Sequence, residues 1–307
     1  MAELTKEKLI EIFCLTDDFC KNFDEELKKQ LLVTDTDGKR HRNRKREMSD
    51  SEIITILICF HYGCFKNFKH FYLYYVKEHL KGEFPNLLSY NRFVELERKV
   101  MFQLALFLQL VCLGQCTGIT FIDSTKIAVC NNKRIKRNKV FKDIATVGKS
   151  TMGWFFGFKL HLVCNDKGEL INFCITPANT DDRNIGVISK ISKDLFGKLF
   201  GDKGYISSSL FSMLFDKGVL LVTGIKSSMK NRLMPLYDKI MLRKRSIIET
   251  INDELKNICQ IEHSRHRSPV NFLMNLLAGI GAYCFFDKKP ALRLEKSIED
   301  KQNLLSF

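Results

Sequence analysis

WFFGFKLHLVCNDKGELINFCIT, residues 154–176, is the stretch that decides how this chain folds. Trp154–Cys164 and Leu170–Thr176 are both rich in aromatic, β-branched and aliphatic residues, and Asn165-Asp-Lys-Gly168 between them carries the residue types of a tight turn. Two such runs around such a turn predict a β-hairpin. Upstream, Ile119-Thr-Phe-Ile122 reads as another short strand after Gly118. Downstream, Thr180 and Asp181 offer an N-cap for a helix ending near Phe196, followed by a strand at Lys198–Gly201 and a helix at Ile206–Asp216. Gly218 precedes a strand at Val219–Thr223, and helices are expected at about Asp238–Ile258 and from Pro269 to about Phe286. Strands first, then strands alternating with helices, imply a mixed α/β sheet with flanking helices.

The N-terminal third reads differently. Residues 1–35 suggest short helical segments, and Gly38–Arg46 (GKRHRNRKR) has six Lys or Arg among its nine residues. That density cannot be packed, so the segment is a solubilising loop or a phosphate-binding arm, with Arg44 and Arg46 among its cations. Ser49 followed by Glu52 is a capping-box start for a helix. Helical patterning then runs to about Leu113, with breaks near Gly82–Pro85 and Ser89–Asn91. Ser89 or Asn91 can cap a further helix that opens with Arg92. A group of short helices suits a helix-turn-helix-like DNA reader, although small helical domains of many functions share that pattern. The expected division is therefore 1–48, a helical segment and basic linker; 49–114, a helical DNA-binding domain; 115–286, the α/β domain; and 287–307, a charged tail.

Lys plus Arg number 49 against 35 Asp plus Glu in 307 residues, a formal charge of +14. The commonest partner of a soluble protein with such an excess is nucleic-acid phosphate. The apolar stretches Ile53–Phe65, Val100–Leu113 and Phe272–Phe286 are all shorter than the roughly 20 residues of a membrane span and carry polar breaks. The N-terminus has no signal-peptide core, so a cytosolic protein is expected. The 11 Cys are scattered, and Cys112 and Cys116 lack zinc-site spacing, which favours free thiols.

Three carboxylates stand out by position. Asp123 follows the first β run, Asp202 follows Leu199-Phe-Gly201, and Glu249 lies in the helix RSIIETINDELK. If the first strand and the Lys198–Gly201 strand are neighbours, Asp123 and Asp202 face one another, and a helix beside them can add Glu249. Converging acids repel each other, so a hard divalent cation, Mg²⁺ or Mn²⁺, is the natural reason to assemble them. Each acid taken singly is as readily a turn former or helix cap. On an α-helix, Arg245, Glu249 and Lys256 share one face, with Asp253 a rival third acid. Alternation puts Lys159 and His161 on one face of their strand, where a satisfied structural His is as good a reading as a functional one. Asp181 and Asp182 are rival acids that a helix-cap role explains. Basic clusters at Lys133–Lys142 and Lys226–Arg245 lie close in sequence to Asp123 and Glu249.

The order Asp, Asp, Glu, with Asp202-Lys-Gly-Tyr205 and Arg245-x3-Glu249-x6-Lys256, resembles the DDE transposases of bacterial insertion sequences. FIDST, GFKLH, ITPANTDDR and RSIIETINDELK resemble most the insertion-sequence family numbered 982, over roughly residues 50–290. The resemblance implies an RNase H-like catalytic core in which Asp123, Asp202 and Glu249 bind two Mg²⁺ or Mn²⁺ ions. It implies that Arg245 and Lys256 hold DNA phosphates, with Lys159 and His161 near the same sheet edge. It also implies double-stranded DNA as partner, both terminal inverted repeats and target, on which at least two copies pair. The implied reaction is hydrolysis at the element's ends followed by strand transfer from a 3′-hydroxyl. Leu242 departs from the pattern, since related signatures often have Tyr three residues before the Arg. Only 46 residues separate Asp202 from Glu249, too few for a large insertion domain. A metal-dependent nuclease of the same superfamily and a non-catalytic DNA-binding descendant are the rival readings.

Overall fold

The computed structural model describes residues 4–34, 47–151, 153–230, 233–262 and 266–292. Arg44 and Arg46, with the whole of the expected basic arm and most of the C-terminal tail, lie outside the described residues. The chain divides into two compact units, one of residues 1–112 with 254–286 and one of residues 113–253 with 287–307. The apolar helix near the C-terminus thus groups with the N-terminal helices, not with the sheet as the sequence division had it.

In the first unit, α1 (Lys6–Thr34) is one continuous helix where short segments were expected. The next helix, α2 (Asp50–Tyr62), starts at the predicted capping box: Ser49 accepts from the Glu52 amide and Glu52 reaches back to the Ser49 amide. Its sequence DSEIITILICFHY is apolar nearly all round, and a helix of that kind must be surrounded. Both α1 and the C-terminal helix of this unit, Pro269–Cys284, pack on it. His61, fully enclosed, sets Nδ1 2.5 Å from the Cys259 carbonyl. Ser89 caps the helix Tyr90–Glu97, and within it Arg92 forms an exposed ion pair with Glu95 at 2.8 Å.

The second unit is built on a six-stranded mixed sheet: β1 (Ile119–Cys130), β2 (Thr146–Ser150), β3 (Gly153–Asn165), β4 (Leu170–Pro177), β5 (Gly197–Gly201) and β6 (Val219–Thr223). β1 runs antiparallel to β3, and the predicted hairpin pairs β3 with β4. One edge of β3 is shared by β2, along residues 153–157, and β4, along 158–164. On the other side β1 pairs β5 in parallel, and β5 pairs β6 in parallel. The order β4-β3-β1-β5-β6, three antiparallel strands and then two parallel ones, is the RNase H-like arrangement. β2 was not predicted, and β1 runs eight residues beyond the short stretch the sequence suggested.

Alternation assigns the faces. Ile122 and Val163 are cross-strand partners in a core with Ile188, Ile191, Leu210 and Leu214, so the helices Ile185–Ile191 and Ser208–Asp216 cover that face. Asp123 and its partner Leu162 point to the other face, where the helix Ser246–Asp253 packs on β1 and β3. The helix expected over 180–196 shortens to 185–191, and its N-cap is Asn184, which accepts from the Val187 amide. Among the described residues no helix is long and apolar enough to cross a membrane.

Candidate active site

Asp123 lies inside β1, not at its end. The parallel pairing with β5 runs Ile119↔Lys198, Thr120↔Leu199 and Phe121↔Phe200. Continued by two residues, that register brings Asp202, the first residue past β5, alongside Asp123. Asp202 opens a turn in which its Oδ1 accepts from the Gly204 amide at 2.7 Å, fixing the carboxylate at the sheet end. Glu249 comes from the helix across that face, near its N-terminus, with its side chain half exposed.

The electrostatics of Asp123 register this convergence. Its carboxyl is pushed up to about 6, chiefly by burial, with the Asp202 and Glu249 charges adding to the rise while Arg245 and a backbone hydrogen bond hold it down. Arg245 stands between two of the acids, with Nη1 3.6 Å from Asp123 and Nη2 2.6 Å from Glu249. From the same helix Asn252 donates to Asp123 Oδ2 at 3.0 Å, and its own Oδ1 is buried with no hydrogen-bond partner. Glu249 and Asn252, three apart, share a face of this helix, and Arg245, in the turn just before it, reaches the same spot. Asn252 carries no charge and no motif, and only this spacing from Arg245 and Glu249 marks it in the sequence.

The helical reckoning stops there. The helix expected over 238–258 is broken at Arg245, between Leu236–Lys244 and Ser246–Asp253, and widens to a π-helical turn at Glu254–Ile258. Lys256 therefore leaves the 100° register that aligned it with Glu249, and its ammonium lies 3.5 Å from Glu262. The expected role of Lys256 at this face does not follow from its geometry.

Lys159 and His161 need a second correction. Both lie on the sheet face opposite Asp123, since their β1 partners are Lys126 and Ser124. His161 is fully buried, its Nε2 2.9 Å from Thr176 Oγ1, and burial pulls it down to about 4. A neutral, enclosed imidazole has no surface to offer DNA, so His161 is structural. Lys159 is tied down by Asp182 at 3.1 Å and by the Thr180 carbonyl at 2.9 Å.

Asp182 also accepts from Ser124, the residue after Asp123, at 2.7 Å, so it serves the strand rather than capping a helix. Asp181 is held well below the usual carboxylate range by Arg183, which chelates it at 2.7 and 3.0 Å. Tyr205, in the Asp-Lys-Gly-Tyr stretch, is almost wholly enclosed; burial and then the charges of Asp123, Asp182 and Asp202 push its hydroxyl far up. It stays protonated at neutral pH. The sequence motif contains this Tyr but does not say that the charges of three carboxylates act on it.

Among the described residues no three His, Cys, Asp or Glu side chains are close enough to hold a metal as they stand. The oxygen donors nonetheless suit a hard cation in kind: two carboxylates on neighbouring strands, a third on a half-exposed side chain, and the unpartnered carbonyl oxygen of Asn252. Arg245 supplies the positive charge in this arrangement, and Glu249 can turn from it by breaking a solvent-facing ion pair, an interaction worth a few tenths of a kcal/mol.

Comparison with known proteins bears on the same unit. No curated protein sequence matches the chain. Among solved structures, it is similar to the piggyBac transposase synaptic complex with hairpin DNA, at 10% identity and a TM-score of 0.46, over 96% of this chain and 77% of that one. It also aligns with the Mos1 strand transfer complex, at 10% identity and a TM-score of 0.23, over 85% and 83% of the two chains. Residues 113–269, just over half the chain, match the model described as the transposase DDE domain. That span holds the sheet, Asp123, Asp202 and the helix of Glu249, and on that match the chain belongs to the transposase DDE domain family.

Proposed function

We propose that this chain is the transposase of a bacterial insertion sequence of the family numbered 982. In this reading it acts in the cytoplasm on double-stranded DNA, cleaving at the element's terminal repeats and joining the freed 3′-hydroxyl to target DNA. The observation that supports it most is that the charges of Asp202 and Glu249 both act on the half-buried Asp123 carboxyl, within the DDE-domain match.

Asp123, Asp202 and Glu249 are the residues that would hold Mg²⁺ or Mn²⁺, in two sites. Such ions, when bound, stabilise both the attacking and the leaving oxygen of an in-line phosphoryl displacement. The chain's own residues supply the rest. Asn252 fixes the rotamer of Asp123 through its amide. Arg245 balances the acids, and once they are otherwise neutralised its guanidinium is free to turn to a scissile-strand phosphate, where a forked donor matches two oxygens. The charge of +14 draws in the polyanion and makes binding steeply salt-dependent. Pairing of two element ends requires at least a dimer on DNA.

The test is incubation of the protein with a duplex carrying the repeats that flank its gene, in Mg²⁺ or Mn²⁺, beside Asp202→Ala. Cleavage at the repeat boundary, lost with EDTA and with the substitution, is the expected result. Cleavage without any joined product would favour a nuclease of the same superfamily. Binding to the repeats with no cleavage in either metal would favour a non-catalytic DNA-binding protein.

A further inference from the structure

We propose that Trp154 and the basic cleft beside it form a subsite for an unpaired stretch of DNA, with a base stacked on the indole and the neighbouring phosphates held by Lys149 and Lys226. Trp154 is the chain's only Trp, and it is 62% exposed at the start of β3. Large aromatic rings are seldom left so open, because enclosing one contributes more than enclosing almost any other side chain. The ring is also held in place. Its carbonyl accepts from the Asn132 side-chain amide at 2.7 Å, and Lys149, its direct cross-strand partner on β2, sets Nζ 5.8 Å from the ring centroid.

The charge around the ring selects the partner. Asn132 opens a 3₁₀ turn, Asn132–Arg137, on which Lys133, Arg134, Lys136 and Arg137 are all exposed. On its other side Lys149 lines a cleft of about 440 Å³ shared with Lys159, Arg183, Lys226, Asp181 and Asp182. Lys159 and Arg183 are neutralised there by Asp182 and Asp181, which leaves the cleft a surplus of two positive charges, on Lys149 and Lys226. A protein partner covering Trp154 would have to desolvate this cluster of like charges, and interface cores are depleted in Lys for that reason. A nucleic-acid strand answers both features, since its phosphates meet the cations and every base has a π-face. The base must be unpaired, because in a duplex its faces are already stacked. Gly204, whose amide is bonded to Asp202, also lines the cleft.

This subsite rests on the reading of the chain as a DNA-processing enzyme, and the test separates the two. Having one Trp, the full-length protein reports on this ring alone by its fluorescence. It is titrated with a labelled single-stranded oligonucleotide and with a blunt duplex of the same sequence, following Trp emission and label anisotropy together. The single strand should quench the emission, while the duplex binds with little quenching. Trp154→Ala should weaken single-strand binding about 5- to 150-fold, Trp154→Phe less, and both should leave the melting temperature near that of the parent because the ring is exposed. Joint replacement of Lys149 and Lys226 by Ala should reduce the salt slope of single-strand binding by about 1.4. Single-strand binding with unchanged emission and no loss in Trp154→Ala would overturn the subsite and leave the DNA reading standing. No binding of either DNA would overturn both.

Discussion

Removing the Arg245 charge should destabilise the sheet unit in a way that depends on pH. In Arg245→Gln, Asp123 loses the one cation that holds its carboxyl down, while Asp202 and Glu249 continue to push it up. Neither side chain of the pair is more than about a fifth exposed, so the 3.6 Å contact is only partly screened by solvent. The loss has a ceiling, because Asp123 can escape by taking a proton. With its carboxyl at about 6 in the parent, ionisation at about pH 7.5 is favoured over protonation by about 2 kcal/mol, and that is the most the substitution can remove through Asp123. The sign follows from linkage. A carboxyl raised above its ordinary value is tolerated at low pH and costs stability as pH rises, and in the variant this cost continues to grow above pH 6. Urea denaturation of parent and variant in EDTA, at about pH 5 and about pH 7.5, reads it directly. The difference in unfolding free energy should be a few tenths of a kcal/mol at the lower pH, from the Glu249 pair, and should grow at the higher by up to about 2 kcal/mol. An equal loss at both values would refute the reasoning, since it would place the role of Arg245 in packing rather than in charge.

Three further outcomes follow from other parts of the molecule. His61 is held at about 4 by burial, below its ordinary 6.5, so its contribution is complete above pH 6.5 and is lost as pH falls towards 4, about 3 kcal/mol in all; His61→Asn should flatten this acid limb in a urea-midpoint series even if it lowers stability overall. Gly148 on β2 is where the chain passes closest to the Ala178 carbonyl, and a Cβ there would collide with backbone; Gly148→Ala should lower stability by about 1–3 kcal/mol in thermal denaturation, whereas Gly82→Ala, with open space around it, should change little. Asn252→Leu should leave DNA affinity in a mobility-shift assay unchanged and reduce cleavage rate at least tenfold, because the amide that orients Asp123 is gone.

The sheet was legible where the residues spoke in period two. The hairpin of β3 and β4 and the strands β5 and β6 fall within a residue or two of their expected bounds, because aromatic and β-branched runs between Gly-rich turns have few alternatives. β2 was not legible: Thr146-Val-Gly-Lys-Ser150 is short and polar, and it is a strand only because β3 extends far enough to pair it. β1 beyond Ile122 was hidden for a similar reason, as Asp123, Ser124, Thr125 and Lys126 are polar and only their pairing with β3 keeps them extended. At the candidate site the sequence suggested that Asp123 and Asp202 are neighbours, and the β1–β5 register supports it. For His161 the structural alternative holds, and Lys159 lies on the face opposite Asp123, because alternation gives a shared face but not which face. Lys256 falls outside the arithmetic of the α-helix because a π-helical turn intervenes, and that turn leaves no sequence mark. Asn252 was missed as a partner of Asp123 since it carries no charge.

If Asp202 holds a metal in a DNA-cleaving centre, a change of metal will reveal it. Asp202→Cys replaces a hard oxygen donor by a softer sulfur, which Mn²⁺ accepts better than Mg²⁺. On a duplex bearing the flanking repeats, Asp202→Cys should bind DNA like the parent, fail to cleave in Mg²⁺, and recover measurable cleavage in Mn²⁺. Cleavage by the variant at the parent's rate in Mg²⁺ would mean that the carboxylate of Asp202 has no part in the reaction.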